Sequence, residues 1–487
     1  MAGIVGCFGS RDEQTINRML DALAHQDLPA PWMHTAPKMA WAWKGDGVSS
    51  HPPAFNKDQS KGVMVSGEIY NLHSLGGSMA ASPPGQAHAQ AILSLYEQRG
   101  PDCVRDLDGI FALALYDRER DTFMLARDPL GIKSLWYGYR ESTLFFSTDS
   151  KSLALAAVEE IHEFPPGHYY TPAEGFIRYY WLPEVDKKPL VNAESMALRI
   201  KKGLTRAVRK RVMSAALPAR MGACCTGDLA SAIVVALAAR QTPHLQTFAV
   251  GPAHQDGNDG VELHKARQLA AHVGSRHHEL AVGLKEYKEA LHQVIPHLQS
   301  HEPAVVRPAA AWYLMTQLAA GHADVLLTGT GADELFAGHP ALQEFPLARV
   351  NEECRRRISA LHLGTLQRRQ QLARYGNLEM RLPFLDKEMI SLAMKISAGL
   401  KIKELADGAR VSKWIFRQAF AETTLLPEGL FGQDLPRQTG WQAMAGAWAE
   451  SEISREALSR LHHDNPGAEI DSKETALYFK ILRHGHC

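Results

Sequence analysis

Near residue 185 the pattern of apolar residues changes character, and this change constrains the fold more than any other feature of the chain. Before it, strand-like runs follow one another with turns between them: Val63-Met64-Val65, Phe111 to Tyr116, Thr122 to Ala126, Ser134 to Tyr137 and Leu144 to Ser147, punctuated by Asp128-Pro129-Leu130-Gly131. The spacing predicts a helix over 87–99, with Ala91, Leu93, Leu95 and Tyr96 on its buried side. Strands that pair locally, with occasional helices, predict an antiparallel α+β domain. A polar, proline-bearing stretch, Leu182 to Asn192, reads as a linker. Beyond it, strands expected at 220–225, 247–250 and 277–280 alternate with helices at 193–215, 229–240 and 261–273, the pattern of parallel βαβ units. After a strand at 323–328, long helical stretches run to the C-terminus.

At 487 residues the chain is too long for one ordinary core. Lys plus Arg and Asp plus Glu are equal at 53 each, so no global field favours nucleic acid or an anionic membrane surface. No apolar run is long enough to span a bilayer and no leader pattern opens the chain, so a cytoplasmic protein is expected. Cys7, Cys103, Cys224, Cys225, Cys354 and Cys487 follow neither a disulfide framework nor a zinc pattern and read as reduced, structural thiols.

Two strand-to-helix loops stand out, because ligands of α/β sheets sit beyond the carboxyl ends of strands, where loop amides and a helix N-terminus offer positive partial charge. One is CCTGDLAS, Cys224 to Ser231; the other is LLTGTGADELFAGH, Leu326 to His339, in which Asp333 and Glu334 follow a glycine turn. Small residues let a backbone approach phosphate, and carboxylates hold magnesium. As bare patterns both loops also fit an ordinary turn with a helix cap.

These loops, together with GIVG (3–6), GEIYN (67–71), LDGIFALALYD (107–117), RDPLGIKSLWY (127–137), FPPGHYY (164–170), LEMRLPFLD (378–386) and SKWIFRQAF (412–420), resemble the glutamine-dependent asparagine synthetase superfamily, which includes the β-lactam synthetases. The resemblance implies an α+β glutaminase-like αββα domain over residues 1–185 and an α/β ATP-pyrophosphatase-like synthetase domain over 190–487. In that family the first domain releases ammonia from glutamine and the second adenylates a carboxylate, using ATP and magnesium.

The chain departs from the pattern wherever glutamine would be handled. The nucleophilic cysteine that follows the initiator methionine is Ala2, which has no thiolate to attack an amide. Ser66 replaces an oxyanion-donating asparagine, WAWKGD (41–46) replaces a stretch whose arginine clamps the glutamine carboxylate, and His88 stands where an aspartate binds the amine. Loss of the nucleophile and of the charge-assisted contacts together describes a domain that no longer uses glutamine. Cys7, with no N-terminal amine beside it, reads as core packing.

In the synthetase half, the family's SGGLDS loop reads TGDLAS: Thr226, Gly227 and Ser231 are kept as phosphate-binding candidates, Ala230 replaces a magnesium ligand, and Asp228 brings a carboxylate two residues away that offers the metal a new angle. Val250, Thr328 and Gly329 match adenosine-contacting positions, Asp333 a magnesium ligand and Lys413 a phosphate-contacting lysine. Arg437, in LPRQTG, replaces the lysine that stabilises the acyl-adenylate transition state. The Tyr-Glu pair that closes β-lactam rings is absent, with Thr330 at the tyrosine position and Gln367 near the glutamate. Glu302, Arg307 and Arg381 are candidates for holding amino-acid carboxylate and amine groups, while His277 and His278 read as packing. The expected activity is an ATP-dependent, AMP- and pyrophosphate-forming ligase without glutaminase, acting on small-molecule carboxylate and amine substrates in specialised, antibiotic-type biosynthesis, with a homodimer as the candidate assembly. An inactive binding or regulatory partner and an ammonia-dependent asparagine synthetase are the alternatives.

Overall fold

Alternation along β1 (Gly3–Phe8) sets the layering of the first part of the chain: Ile4 and Phe8 enter one apolar cluster, Val5 and Cys7 another. The computed structural model describes residues 3–23, 31–45, 50–75, 86–214, 219–253, 260–421, 424–428 and 439–484. By internal contact the chain forms two units, one of Met1–Ala219, Gly331–Gln367 and Phe384–Phe416, the other of Arg220–Thr330, Arg368–Pro383 and Arg417–Cys487.

In the first unit, β2 (Trp32–Ala36), β3 (Met39–Lys44), β8 (Trp136–Arg140), β9 (Thr143–Ser147) and β10 (His162–Glu163) join β1 in one antiparallel sheet. A second antiparallel sheet holds β4 (Ser50–Phe55), β5 (Lys61–Ile69), β6 (Gly109–Asp117), β7 (Thr122–Arg127), β11 (His168–Thr171) and β12 (Gly175–Arg178). Trp41, Phe146, Met64, Ala112 and Phe164 fill the space between the sheets. The outer face of the first sheet is covered by α1 (Glu13–Ala22) and α3 (Ser150–Ala154), against which Cys7 packs. The outer face of the second is covered by α2 (Ala87–Arg99), through Ala89, Ile92, Leu93 and Tyr96. Helix, sheet, sheet, helix is the αββα arrangement expected.

The strand predicted at Ser134 instead begins at Trp136. The Asp128 carboxylate accepts N–H bonds from Leu130, Ile132 and Lys133 at 2.8–3.0 Å, and the buried Arg127 guanidinium donates to the carbonyls of Gly131, Lys133 and Phe164, so this stretch is tied as a loop. The expected linker, 182–192, has neither helix nor strand, yet its backbone is held: Leu190 N–H donates to Lys395 O at 2.7 Å, and Ser397 N–H to Leu190 O at 3.0 Å. It leads into α4 (Ala193–Met213), capped by Asn192.

The second unit carries the predicted parallel sheet, ordered β15-β14-β13-β16-β17 from β13 (Met221–Cys224), β14 (Gln246–Pro252), β15 (Arg276–Val282), β16 (Val325–Leu327) and β17 (Glu379–Arg381). Its helices include α5 (Leu229–Ala239), α6 (Val261–Val273), α7 (Leu284–Leu298) and α8 (Pro303–Ala319). Residues Leu229 to Ala238 of α5 are all buried, which suits a helix packed on an internal strand. The first unit adds α9 (Ala332–Phe336) and α10 (Leu347–Ala360). The described cysteines are buried and free; Cys487 lies outside the described residues. Among the described residues no helix is long and apolar enough to cross a membrane.

One buried charge in the first unit has a measurable consequence. Lys401, in the helix Ala398–Lys401, is fully buried near Cys354, and its Nζ has no hydrogen-bond partner among the described residues. Burial pushes its pKa below the ordinary 10.5. The unfolded chain then binds a proton that the folded chain resists, so stability falls as pH drops below 10.5 and stops falling only below the folded pKa. Lys401→Met is therefore expected to stabilise the fold near pH 7 by about 1–3 kcal/mol, with a smaller gain near pH 10, in paired thermal melts. An equal or lower melting temperature at neutral pH would contradict it.

Candidate active site

The order of the parallel sheet locates the crevice. From β13 the chain moves outward through β14 to β15, then returns to place β16 on the other side of β13. Open α/β sheets take ligands at such a reversal, beyond the carboxyl ends of the two central strands. The loops found there are Cys225 to Asp228 after β13 and Thr328 to Thr330 after β16. They approach so closely that a Cβ on Gly329 would stand 2.8 Å from the Ser231 backbone nitrogen. Gly227, at φ +75°, also needs to be glycine, since a Cβ there would meet the Glu262 backbone.

Asp228 is the N-cap of α5. One carboxylate oxygen accepts the Ser231 N–H at 2.9 Å and the other accepts the Thr226 hydroxyl at 2.5 Å. The Ser231 hydroxyl donates to Asp228 O, and Thr226 N–H donates to Ser231 Oγ at 3.3 Å. A helix N-terminus attracts an anion, and here the chain supplies one of its own. Burial pushes the neighbouring Cys225 thiol up to about 12, so this thiol is no nucleophile near neutral pH.

After β16, Thr328 donates its hydroxyl proton to Thr330 Oγ1 at 2.9 Å and accepts the Thr330 N–H at 3.2 Å. Arg369 Nη1 also donates to Thr330 Oγ1. The residue that meets Thr330 is Arg369, two positions beyond Gln367; Gln367, placed near the family's glutamate position, donates to Glu163 within the first unit at 2.8 Å.

Within the first unit, Lys413 Nζ lies 3.3 Å from Asp333 Oδ1. The Lys413 side chain is 1% exposed, and its backbone sits at φ +52°, a left-handed conformation that a branched or long residue adopts only at a cost. A Cβ on Gly338 would fall on Asp333 Oδ1 and within 2.8 Å of the Lys413 stem. Gly338 therefore makes room for the pair, a role invisible in a glycine read only as a turn former. Asp333 lies in the first turn of α9 but does not cap it: the N-cap is Gly331, with no side-chain cap bond.

The remaining candidates are placed as follows. Val250 lies inside β14, which continues two residues past it, and is partly buried against an apolar cluster that includes Trp441. Arg437 lies outside the described residues. Arg307 is drawn to Glu474 at 3.3 Å and the buried Arg381 to Glu379 at 3.5 Å, so both engage acids of the protein; Glu302 is the exposed N-cap of α8. His277 and His278 pack on β15, His278 stacked on Phe248 and on His322, and burial lowers both pKa values. Among the described residues no group of three or more His, Cys, Asp or Glu converges as a metal site.

In the antiparallel unit, Ala2 lies outside the described residues. Gly67, at φ +116°, lies in β5 and is pressed against Ile110 O of the paired β6. Glu68 and His88 are both buried, with His88 Nε2 3.6 Å from Glu68 Oε2, while Ile69 N–H donates to His88 Nδ1 at 3.0 Å. Accepting at Nδ1 places the ring proton on Nε2, toward the carboxylate. Ser66 is likewise fully buried. Trp41 and Trp43, of the WAWKGD stretch, turn into the core between the sheets.

An Asparagine synthase family model matches residues 199–350 and 346–471, and a Glutamine amidotransferase domain model matches residues 1–164. Asparagine synthetase B [glutamine-hydrolyzing] of Escherichia coli is 31% identical over 455 residues, covering 88% of this chain and 80% of its own length. A probable asparagine synthetase [glutamine-hydrolyzing] of Dictyostelium discoideum is 29% identical over 469 residues, covering 88% and 82%. Among solved structures, the glutamine phosphoribosylpyrophosphate amidotransferase of B. subtilis covers 57% of this chain and 91% of its own at 11% identity and a TM-score of 0.33. A glutamine-dependent NAD+ synthetase from Acinetobacter baumannii covers 78% and 53% at 13% identity and a TM-score of 0.28; likenesses at this level carry no weight.

Proposed function

The chain belongs to the asparagine synthase family, and from that premise we propose that it is an ATP-dependent, amide-bond-forming synthetase working without a glutaminase. In this reading residues 1–185 are a retired glutaminase-like domain and 190–487 the synthetase. A substrate carboxylate attacks the α-phosphorus of ATP, releasing pyrophosphate; an amine of the same or a second substrate then attacks the acyl-adenylate, forming the amide and releasing AMP. An amine-bearing substrate makes glutamine-derived ammonia unnecessary, as in the β-lactam synthetases.

The observation that carries the reading is the Lys413–Asp333 pair. An ion pair removed from water, on a strained backbone, is costly, and such costs collect where a site needs them. Lys413 is assigned to the developing charge on the phosphates, and Arg437 to the acyl-adenylate. Thr226, Gly227 and Ser231 are assigned to phosphate, and Val250, Thr328 and Gly329 to adenosine. Asp333 and Asp228 are the carboxylates proposed to hold magnesium, a hard cation that prefers such oxygen donors. When bound, magnesium would offset the charge of the phosphates. Loss of glutamine chemistry is supported by Ala2 in the sequence and by His88, a residue buried 3.6 Å from Glu68 at the position expected of an amine-binding aspartate.

One observation favours a second reading, a binding or regulatory protein without catalysis. Asp228 already occupies the anion seat at α5, as it would in a loop retired from phosphate binding. Calorimetric titration with ATP and magnesium decides between them, followed by a pyrophosphate-release screen over amino-acid substrates. Saturable binding weakened about tenfold or more by Asp333→Ala is expected, the scale of losing one charge-assisted contact. Absence of saturation at millimolar ATP would overturn the synthetase reading.

A further inference from the structure

The chain as a whole balances 53 Lys plus Arg against 53 Asp plus Glu, but α4 is far from balanced. It reads AESMALRIKKGLTRAVRKRVM, with Glu194 its sole acid. Its last turn is neutralised from outside, Lys210 lying 2.9 Å from Asp108 and Arg211 3.0 Å from Asp386. Two turns earlier, Arg206 meets Glu388 at 3.0 Å, on the helix Lys387–Lys395 of the same unit. Nothing comparable answers Arg199 and Lys202. Both are exposed, and among the described residues neither has an acidic partner.

The two helices run antiparallel. Arg206 pairs with Glu388, a Cβ on Gly203 would stand 2.8 Å from Met389 Sδ, and Leu190, just ahead of α4, donates its N–H to Lys395 O. Arg199 and Lys202 therefore face the C-terminal end of the Lys387–Lys395 helix, where the exposed Lys395, without an acidic partner among the described residues, adds a third cation. Between the helices lies a groove of about 410 Å³, lined by these three side chains and floored by Gly203, Met389 and Leu392. That volume suits a small molecule. The groove's other end holds little free charge, since Glu388 answers Arg206 there and Lys387 Nζ donates to Leu107 O at 2.7 Å.

Arg199 and Lys202, three residues apart, are neighbours on one face of α4, and like charges so placed repel. A surface built only for solubility intersperses its signs. A multiply charged anion relieves the repulsion, and an arginine fork binds phosphate oxygens through two parallel N–H···O bonds. We infer that the groove between α4 and the Lys387–Lys395 helix binds an organic polyphosphate, its phosphates at Arg199, Lys202 and Lys395 and its uncharged body over Met389 and Leu392. The confinement of the unanswered cations to one end favours a compact polyphosphate over an extended acidic peptide. A nucleoside triphosphate and a nucleotide-bearing thioester carrier, coenzyme A, share this chemistry. None of these residues enters the synthetase reading, so the inference stands apart from it.

Calorimetric titration of the full chain in chelator with ATP, coenzyme A, tripolyphosphate and an oligoglutamate peptide tests it. ATP or coenzyme A is expected to bind saturably and to weaken about tenfold or more in Arg199→Gln combined with Lys202→Gln, both exposed positions that leave the fold intact. Lys395→Gln should weaken the same ligand by a smaller factor, added salt should weaken it further, and Asp333→Ala should leave it unchanged. A response of ATP alone assigns the groove to a nucleotide, and a response of coenzyme A alone to a thioester carrier. Tripolyphosphate binding as tightly as either would show that the apolar floor takes no part and would overturn the organic body. A response of the peptide alone would make the occupant a protein segment and overturn the assignment. So would a loss of binding in Asp333→Ala but not in the groove variant, or the absence of saturation by any probe at millimolar concentration.

Discussion

Lys413→Met is expected to lower pyrophosphate release by about a hundredfold to a thousandfold, the scale of removing one fixed donor from developing transition-state charge. The expectation follows from how fixed this cation is. Its stem lies over the bare Cα of Gly338, its side chain is 1% exposed, and its Nζ stands 3.3 Å from Asp333. A donor held before the reaction needs no reorganisation during it, whereas a solvated surface lysine would contribute little. The same burial complicates the measurement, because deleting one partner of a buried pair costs about 3–5 kcal/mol through the charge left behind. The comparison therefore includes Lys413→Met with Asp333→Asn, which removes both charges. The double variant should recover melting temperature and remain slow. A rate within twofold of wild type in the folded single variant would mean that Lys413 is only half of a structural ion pair, and recovery of rate with stability in the double variant would mean the same.

The parallel sheet was legible because buried strands alternating with helices leave a coarse, repeated signal, and the turn at TGDLAS was legible because β13 ends against a helix start. β1 was not singled out. Its glycines depress strand propensity, yet Gly6 is required: a Cβ there would come within 2.6 Å of two ring atoms of Phe146 and 2.9 Å of Trp41 Cβ. The non-contiguous makeup of the two units was equally hidden, since contact between Met1–Ala219 and the later segments Gly331–Gln367 and Phe384–Phe416 has no local signature. At the candidate site, residue identities were legible but orientations were not. Asp228 read as a carboxylate near phosphate, while its geometry is that of a helix cap. The contact of Arg369 with Thr330 has no local signature, because the two lie 39 residues apart. Gly338 was read as part of a motif, whereas the missing Cβ is its contribution.

The cap geometry of Asp228 leads to the second large effect. Asparagine accepts the Ser231 N–H as well as aspartate does at an N-cap, so Asp228→Asn should keep α5 and its melting behaviour while removing the charge. In the wild type a phosphate arriving at α5 meets a carboxylate, and two unit charges about 4 Å apart repel by about 4 kcal/mol at an effective dielectric near 20. Nucleotide binding by the wild type should therefore depend steeply on magnesium. In chelator, Asp228→Asn should bind ATP about tenfold to a hundredfold more tightly than wild type, part of the full repulsion being relieved in the wild type by movement of the side chain. With magnesium present the order should reverse or the gap close, because the variant has lost a carboxylate that the metal would use. Titration of both proteins with ATP, with magnesium and with chelator, gives all four affinities. A variant tighter than wild type under both conditions would identify Asp228 as a plug and no metal ligand, and the loop as one that keeps phosphate out. Equal affinities in chelator would show that the carboxylate does not face the nucleotide at all, and the phosphate seat would have to be sought away from α5.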